Sequence, residues 1–450
     1  MTETWWVPEA RRATWRALPT CTLRFSEALA LEFPEPRLPE MEQLVHALRP
    51  PSNVAEARAA AIRRAARRFL DAESAAHKEA LDLLTAVTGR ARGMIAASMD
   101  HLFGQWARPE VSARALREFA PGLEGFCAGR SAVSPRLTYH ALAGNVPWAG
   151  VDSLLAATLV GSASLVKLSS REPVLAGLVA RVLAEEDETI GGAIAVLHWP
   201  GGDHAIEEAV LQVADAVVAF GDNAAVASYA TRLAHRIAAG RTRFLAHGHR
   251  LSAAVLGPAA QADARVAEAL ALDLACEDQE GCLSPHAVYL VAPTEPERFA
   301  KLLAAALDSY EARWPRRALD AATAATVQQE RAAAEFAGAR VLASEGSTAW
   351  TVIVDRTSPF APAPTTRFAR LRVVDSLGDA IAALEPARGI LSTLGIAGFD
   401  NEPEAAGRLA ALAPGRICRV GRMQRPPAGW NHEGASDAAA LLQWTEWEAE

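Results

Sequence analysis

The sequence predicts an α/β protein with a doubly wound parallel sheet, and three observations support this fold class. Between residues 137 and 246, short apolar runs alternate with helix-like segments, which is the pattern of repeated βαβ units. Turns rich in glycine and polar residues follow several of these runs, as expected at the ligand-binding edge of such a sheet. The chain has 450 residues and half of them are hydrophobic. It therefore exceeds the size at which one core stops growing, and we expect more than one domain.

The order of elements follows from periodicity and turn signals. Residues 1–50 give no clear pattern, whereas residues 53–123 place Ala, Leu and Arg at helical spacing. A cluster of glycine, proline and serine at 121–135 ends this helical region. We then predict strands at 137–142, 165–168, 193–198, 216–220 and 242–246, and helices at 151–160, 173–184, 205–213 and 223–234.

Composition and charge exclude several classes of protein. The formal net charge of -8 argues against a nucleic-acid binder, whose affinity comes mainly from neutralising phosphates. Five irregularly spaced cysteines do not form a disulfide framework, so we expect reduced thiols in a cytoplasmic protein. The first residues lack a basic segment followed by an apolar one, and no apolar run is long enough to span a membrane.

Cys282 is the candidate nucleophile. It lies in Cys276-Glu-Asp-Gln-Glu-Gly-Cys-Leu-Ser-Pro285, between a helix-like segment at 263–274 and a strand-like run at 286–292. Gly281 permits a close backbone approach and Pro285 prevents the helix from continuing, so we expect the thiol at a helix-to-strand corner. The alternative is a packing role, because cysteine is among the residues most often buried.

Several turns that follow predicted strands could face one crevice. Asn145, between Gly144 and Val146, is either a turn residue or an amide donor for an oxyanion. Lys167 at the end of an apolar strand either binds a ligand or keeps an edge strand soluble. The pair Gly201-Gly202 opens a helix and suits an anion, although the sequence lacks Gly-x-Gly-x-x-Gly. The segment Phe220-Gly-Asp-Asn223 is most simply a turn and an N-cap.

Three motifs together resemble the aldehyde dehydrogenase superfamily, and more closely its branch of LuxC-type fatty acyl-CoA reductases. They are His140-Ala-Leu-Ala-Gly-Asn-Val-Pro147, Leu165-Val-Lys-Leu-Ser-Ser170 and Gln279-Glu-Gly-Cys-Leu-Ser-Pro285. The tail Trp430-Asn-His-Glu-Gly434, followed by Leu442-Gln-Trp444, is similar to the same branch. The resemblance runs from about residue 137 to 285 and returns near the C-terminus, while the first hundred residues contribute little to it.

The resemblance implies roles for individual residues. Cys282 would accept the acyl group, and Asn145 with the Cys282 backbone N–H would hold the oxyanion. Lys167 would contact the adenosine ribose. The other residues that the resemblance places beside the dinucleotide are Ser169, Ser170, Arg171, Gly201, Gly202, Phe220 and Gly221.

The superfamily has an acidic residue at the position of Ser170 that holds the ribose hydroxyls. Here a serine stands at that position and Arg171 follows it. Without the carboxylate, a 2′-phosphate would not be repelled. We therefore expect NADPH, with NADH as the alternative.

A second departure from the superfamily bears on the direction of the reaction. Hydrolytic members carry a Glu-Leu-Gly-Gly-Lys-like segment whose glutamate activates water, and the corresponding stretch here is Ala246-His-Gly-His-Arg250. An acyl-cysteine without activated water persists long enough to be reduced. His247 or His249 could act as the general acid-base group. Two histidines without a nearby cysteine pair are a poor zinc site, so we expect no metal.

The function that these features imply is NAD(P)H-dependent reduction of an acyl-CoA or acyl carrier protein thioester to an aldehyde, through an acyl-cysteine. The alternatives are a CoA-acylating aldehyde dehydrogenase working oxidatively and a non-redox acyl-relay subunit. We expect a dinucleotide-binding domain at 1–250, completed by 430–450, and an α/β catalytic domain at 251–429 with helices at 296–313 and 321–336, a strand at 350–354 and a loop at 359–364. Related enzymes are often oligomers, so we expect a homo-oligomer.

Overall fold

The computed structural model describes residues 3–123, 130–292, 295–355, 364, 366–427, 430–434 and 436–448. The predicted loop at 359–364 therefore lies outside the described residues, apart from Pro364. Of the five cysteines, Cys127 is also outside them, and Cys21, Cys276, Cys282 and Cys418 are free thiols.

The N-terminal region combines a small hairpin with a group of helices. Strands β1 (Thr20–Arg24) and β2 (Ala30–Pro34) pair antiparallel, flanked by α1 (Glu9–Arg16) and α2 (Leu38–Ala47). The predicted helical region is confirmed, because it folds into α3 (Ala55–Leu70), α4 (Ala75–Thr88), α5 (Arg92–Trp106) and α6 (Pro109–Leu123). Alanines on the inner face of α3, among them Ala59, Ala61 and Ala65, are buried and let the neighbouring helices approach closely.

Alternating strands and helices follow, as predicted. In chain order they are β3 (Arg130–Val133), β4 (Leu137–Ala141), α7 (Pro147–Val160), β5 (Ala163–Lys167), α8 (Leu175–Glu186), α9 (Glu188–Gly191), β6 (Ile194–Leu197), α10 (His204–Leu211), β7 (Ala216–Phe220), α11 (Asn223–Ala238) and β8 (Arg243–His247). Helix α7 begins four residues before the predicted start at 151, because Pro147 occupies its first turn, where a missing N–H costs nothing.

The first large sheet has the order β6-β5-β4-β7-β8 in the described chain, and each neighbouring pair is parallel. From β4, the chain proceeds outward through β5 and β6 and then returns to the other side of β4 for β7 and β8. This reversal is the topological switch point at which open α/β sheets bind ligands, beyond the carboxyl ends of the strands.

The second large sheet has the order β11-β12-β13-β10-β9-β14-β15. Its elements are β9 (Leu251–Leu256), α12 (Ala264–Ala275), β10 (Pro285–Val291), α13 (Pro296–Arg313), α14 (Ala321–Phe336), β11 (Arg340–Ala343), β12 (Thr351–Asp355), β13 (Phe368–Val374), α15 (Leu377–Leu384), β14 (Leu391–Ala397), α16 (Glu402–Leu409) and β15 (Arg416–Arg419). Only the pair β11 and β12 is antiparallel among the described strands of this sheet. Helices α13 and α14 have the predicted bounds.

The C-terminal segment returns to the first half of the chain. After α17 (Asp437–Leu441), β16 (Gln443–Glu446) pairs antiparallel with β3, and Trp444 lies opposite Ala132. A Cβ atom at Gly122 would lie 3.1 Å from the Trp444 ring, so this tryptophan has a packing role. In the described part of the chain, the helices are too short or too polar to cross a bilayer.

Candidate active site

Turns at the carboxyl ends of β4 and β5 pack directly on each other. A Cβ atom at Gly144 would lie 2.4 Å from the Ser169 hydroxyl and 2.6 Å from the Arg171 Cβ, so the contact needs glycine. Ser169 accepts a hydrogen bond from the Arg171 backbone N–H at 3.2 Å. Two of the predicted turns, those that carry Asn145 and Ser169, are therefore brought together.

The backbone that leads to Cys282 is strained. Helix α12 ends at Ala275 and a short 3₁₀ turn, Cys276–Gln279, follows it. Within that turn, Glu277, Asp278 and Gln279 have φ values of 51°, 50° and 65°. Left-handed backbone costs a side-chain-bearing residue about 1–2 kcal/mol. Three such residues in a row persist only if the surroundings hold each of them.

Residues from the second sheet hold this turn. Arg367 forms an ion pair with Asp278 at 2.8 Å, and their side chains are 0% and 1% exposed. The Gln279 amide donates to the carbonyls of Pro285 and Phe368, and its oxygen accepts from the Phe368 N–H at 2.6 Å. These buried contacts are surroundings of the kind that strained backbone requires, and removing one partner of the ion pair would leave a buried charge unpaired at a cost of about 3–5 kcal/mol.

Cys282 follows this turn, and its thiol is a weak acid here. Ser252 donates a hydrogen bond to the Cys282 carbonyl at 2.6 Å, which attaches the loop to β9. Burial and the negative charge of Glu433 raise the pKa of Cys282 to about 11, and the Ser392 hydroxyl beside the thiol lowers it in part. Cys276 is buried and the pKa of its thiol is raised well above its ordinary value, so it is a poor nucleophile.

Asn145 contacts the loop that carries Cys282. Its side-chain amide donates to the Glu280 carbonyl at 3.0 Å, and the adjacent Val146 packs against Gly281, where a Cβ atom would lie 3.4 Å away. One amide hydrogen is therefore used to fix the side chain, and the amide has a second hydrogen to donate. This arrangement suits an oxyanion donor beside the nucleophile.

Four residues from two distant parts of the chain form a cluster near Cys282: His247, Arg250, His432 and Glu433. Two of them, Glu433 and Arg250, act electrostatically on the thiol. Glu433 Oε2 lies 3.4 Å from His247 Nδ1 and 3.0 Å from an Arg250 guanidinium nitrogen. His247 stacks on His432 with ring centroids 4.6 Å apart, and on Phe220 at the same separation. We call these four residues the His247 cluster.

The charge states of the His247 cluster follow from its contacts. Burial opposes ionisation of Glu433, but His247 and Arg250 beside its carboxylate lower the pKa below its ordinary value. Burial, with His247 nearby, lowers the pKa of His432 to about 4. At neutral pH, Glu433 is therefore an anion and His432 is neutral.

His249, the other predicted histidine, lies apart from the His247 cluster. It is exposed, and its backbone N–H donates to the Asn223 side chain at 2.9 Å. The N-cap role predicted for the turn after β7 is confirmed for Asp222, which accepts from the Ala225 N–H at 2.7 Å.

The His247 cluster is a poor metal site. His247, His432 and Glu433 offer ligand atoms within 4.8 Å of one another. However, the two imidazole planes are only 8° from parallel, and imidazole lone pairs lie in the ring plane. Lone pairs in separate parallel planes cannot both point at one ion at about 2.0–2.1 Å. The geometry favours proton handling over metal ligation.

The residues predicted to lie beside the dinucleotide make ion pairs and hydrogen bonds of their own. Lys167 Nζ lies 2.5 Å from Glu207, which also contacts Arg232 at 2.6 Å and accepts from the Tyr229 hydroxyl at 2.8 Å. Ser170 contacts His198 at 2.9 Å. Arg171 lies 3.6 Å from Glu280 and is directed at the Cys282 loop.

These residues fit a dinucleotide. Gly201 and Gly202 have open space where a side chain would be, and Gly202 has a φ of +90°. They precede the N-terminus of α10, whose free N–H groups favour an anion such as a pyrophosphate. Phe220 ends β7 on the other side of the switch point, and Gly221 follows it. Lys167, Gly201, Gly202 and Gly221 therefore line one edge of one sheet.

Comparison with known families identifies the chain. A family model described as Acyl-CoA reductase (LuxC) matches residues 62–444. The chain belongs to this family. The resemblance seen in the motifs is therefore confirmed, and the match also includes the N-terminal helices, from which the motifs gave little signal.

Relatives of this LuxC-family chain include two reductases that are 25% and 27% identical to it over the matched segments. It is 25% identical over 317 residues to a long-chain acyl-protein thioester reductase of Aliivibrio fischeri, covering 69% of the chain and 64% of the relative. It is 27% identical over 323 residues to one of Vibrio harveyi, covering 71% and 65%. The matched segments span slightly less than two thirds of these relatives.

Solved structures show the fold of the LuxC-family chain. The aldehyde dehydrogenase KauB from Pseudomonas aeruginosa has a TM-score of 0.75 at 14% identity, over 99% of this chain and 97% of that chain. An oxidoreductase from Marinobacter aquaeolei has a TM-score of 0.76 at 13% identity, over 99% of both chains. The predicted aldehyde dehydrogenase-like α/β fold is confirmed.

Two parts of this LuxC-family site were missed from the sequence. The stretch 246–250 lacks a carboxylate, yet the tail brings Glu433 to His247. The tail at 430–450 was expected to complete the first domain, but its motif Trp430-Asn-His-Glu-Gly434 did not indicate that Glu433 would lie beside His247. Trp430 anchors it, because Arg416 lies 5.2 Å above the indole ring and His432 packs on it at 5.1 Å. The second missed residue is Arg90, which lies in the N-terminal helical region.

Proposed function

We propose that this chain reduces an acyl thioester to an aldehyde through an acyl group carried on Cys282. The observation that supports it most directly is the convergence of three features on one loop. Cys282 lies at a fixed corner, the Asn145 amide donates to that loop at 3.0 Å, and the anionic Glu433 is close enough to raise the pKa of the thiol.

The first step needs a proton acceptor, because a thiol with a pKa of about 11 is almost entirely protonated at neutral pH. Glu433, or His247 in contact with it, accepts the Cys282 proton. The sulfur attacks the thioester carbonyl carbon and a C–S bond forms. Asn145 and the Cys282 backbone N–H stabilise the oxyanion. The bond to the leaving thiolate then breaks, and that thiolate takes up the proton that Glu433 or His247 accepted from Cys282.

The second step is reduction of the acyl-cysteine. The sheet edge with Lys167, Gly201 and Gly202 would hold a reduced nicotinamide dinucleotide, which would supply the hydride for this step. Asn145 again stabilises the negative charge on oxygen in the hemithioacetal. When the carbonyl re-forms, the C–S bond breaks, the aldehyde leaves and Cys282 is regenerated. Ala246 stands where hydrolytic superfamily members carry glutamate, so reduction rather than hydrolysis is the expected fate of the acyl group.

For the cofactor we propose NADPH ahead of NADH. The carboxylate nearest to Lys167 is Glu207, which is 4% exposed and paired with two cations. Its charge is therefore neutralised, and Ser170 adds no charge of its own. A 2′-phosphate would meet little repulsion at this end of the crevice. The ratio of kcat/KM for the two cofactors tests this, and a preference for NADH would contradict it.

For the substrate we propose a long-chain acyl thioester, carried on protein or on CoA. The support is that the relatives from Aliivibrio fischeri and Vibrio harveyi are long-chain acyl-protein thioester reductases. The two kinds of substrate share the thioester and the acyl chain and differ only in the carrier. Substrates with the same acyl chain on CoA and on protein therefore distinguish the two carriers.

The experiment follows the acyl group in two stages. The protein is incubated with long-chain acyl-CoA and, separately, with an acyl carrier protein thioester, and intact mass reports acylation. NADPH or NADH is then added, and absorbance, aldehyde and free acid are measured. We expect acylation at Cys282 and one aldehyde for each cofactor oxidised.

Other outcomes would contradict the proposal. An acyl-enzyme that neither cofactor discharges favours the acyl-relay subunit. Faster turnover with aldehyde, CoA and oxidised cofactor than in the reducing direction favours the CoA-acylating dehydrogenase. Free acid in place of aldehyde would show that Glu433 activates water.

A further inference from the structure

Arg90 is a buried arginine from the N-terminal helices that reaches the active-site loops. It follows Gly89, which ends α4 in the left-handed conformation at φ 68°, and it precedes α5. The arginine side chain is 2% exposed. Removing a guanidinium from water is costly unless it is fully paired, so the partners of Arg90 indicate why it is there.

Those partners lie in two segments, the Asn145 turn and the residues just before Cys282. One terminal nitrogen of Arg90 donates to the Asn145 carbonyl at 2.7 Å and to the Glu280 carboxylate at 3.0 Å. The same nitrogen lies 3.3 Å from the Glu277 carbonyl. The other terminal nitrogen forms an ion pair with the Glu277 carboxylate at 2.8 Å. One planar group therefore contacts the Asn145 turn and the strained turn before Cys282.

The contacts form a closed ring. Arg90 holds the main chain of Asn145 and the side chain of Glu280, and the Asn145 amide donates to the main chain of Glu280 at 3.0 Å. Any displacement of Arg90 would move the oxyanion donor relative to the nucleophile. The Glu277 carboxylate, which pairs with Arg90, also accepts hydrogen bonds from Ser98 at 2.6 Å and Trp148 at 2.7 Å. These two contacts fix the carboxylate independently of Arg90.

We propose that Arg90 is a positioning residue that sets the distance between the Asn145 amide and Cys282. The inference rests on the proposed function, since it assumes that these two residues act on one carbonyl group. Arginine suits the role because its planar fork donates in several directions and stays charged. A lysine could replace the charge but not the simultaneous contacts.

The test compares two reactions of the cofactor-free protein. Acylation by a thioester needs the oxyanion donor, whereas alkylation by iodoacetamide needs only the thiol. We expect Arg90→Lys to slow single-turnover acylation by about 10²-fold, the usual effect of a small misplacement, and to leave alkylation within about threefold of wild type. In steady-state reduction, kcat should fall with KM nearly unchanged.

The matched control is Arg317→Lys. Arg317 pairs with the same Glu280 carboxylate but is 29% exposed, and its backbone N–H donates to Asp278. Acylation in this variant should stay within about threefold of wild type, because partly exposed ion pairs contribute little. An equal loss in both arginine variants would show that the charge around Glu280 matters and would overturn the specific role of Arg90.

A double-mutant cycle tests whether Arg90 acts through Asn145. If it does, Arg90→Lys should have almost no further effect on acylation in the Asn145→Ala background. If the effects of the two substitutions on acylation are additive, or if Arg90→Lys slows acylation and alkylation equally, Arg90 has only a structural role. If Arg90→Lys does not fold, Glu280→Ala removes the side-chain acceptor at the other end of the ring and should show the same separation of the two reactions.

These outcomes are distinct from failure of the proposed function. A wild-type protein that no thioester acylates would contradict the reductase assignment itself. A wild-type protein that acylates normally, with an Arg90→Lys variant that does the same, would contradict only the inference about Arg90.

Discussion

The loop that carries Cys282 and the glycine turn at 200–203 lie at the same crevice but are built in opposite ways. The backbone of the loop is strained at three residues and is held by buried ion pairs from the N-terminal helices and the second sheet. The glycine turn has open space beside both glycines. The first arrangement holds the Cys282 loop in one conformation, and the second leaves open space beside the sheet.

The difference fits what the proposed function requires of each region. Covalent attack depends on reacting atoms being placed within a fraction of an ångström, so a rigid loop is worth the cost of strain. A pyrophosphate is held by backbone N–H groups and the helix dipole, which tolerate small shifts. Substitutions in the Cys282 loop should therefore change rate constants, whereas substitutions in the glycine turn should mainly change cofactor affinity.

The largest expected effect tests the nucleophile itself. Cys282→Ala should abolish acyl-enzyme formation, since removing a catalytic nucleophile elsewhere costs about 10⁶ in kcat. Cys276→Ala, six positions away, should acylate normally because the Cys276 thiol is buried and its pKa is strongly raised. Intact mass after incubation with a thioester measures both. Acylation that persists in Cys282→Ala and disappears in Cys276→Ala would reverse the assignment.

The next effect tests the oxyanion donor. Asn145→Ala should slow acylation and reduction by about 10²–10³-fold without eliminating them, as in other enzymes that lose one oxyanion donor. The main-chain carbonyl that Arg90 contacts remains in this variant, so the fold should be retained. Single-turnover acylation measures the change, and thermal unfolding checks the fold. A loss below about threefold would mean that another group binds the oxyanion.

A third prediction concerns pH. Glu433 raises the pKa of Cys282, so Glu433→Gln should lower it and shift the alkylation profile to lower pH. At pH 8, alkylation should become roughly threefold to tenfold faster, while acylation slows because a proton acceptor is lost. The exposed Glu446→Gln on β16 is the control. If both reactions accelerate in Glu433→Gln, Glu433 is not the base.

The smallest effects compare glycines from the two sides of the crevice. Gly144→Ala would place a Cβ atom 2.4 Å from Ser169, and it should destabilise the protein by about 1–3 kcal/mol. Gly201→Ala meets nothing within 4 Å, and its effect should stay within about 0.5 kcal/mol. Denaturant unfolding measures both. Equal effects would show that the glycine turn is as tightly packed as the Gly144 turn.

Much of the fold could be predicted because its signals are local. The strand at 216–220 and the helices at 296–313 and 321–336 have the predicted bounds, since apolar periodicity and prolines mark them directly. The crevice was predictable for the same reason: parallel strands place their carboxyl ends at one edge, so the turns with Asn145, Lys167 and Gly201 had to meet there.

The sequence by itself therefore determined the fold class, the family and the candidate nucleophile with its amide partner, because each depends on a short motif in a fixed order. Only the tertiary structure decided which charges surround them. Arg90 lies 190 positions from Glu280, and Arg250 lies 183 positions from Glu433. An ion pair between such distant residues leaves no periodicity or spacing in the chain. It exists because packing encloses both groups, where an unpaired charge would be too costly to bury.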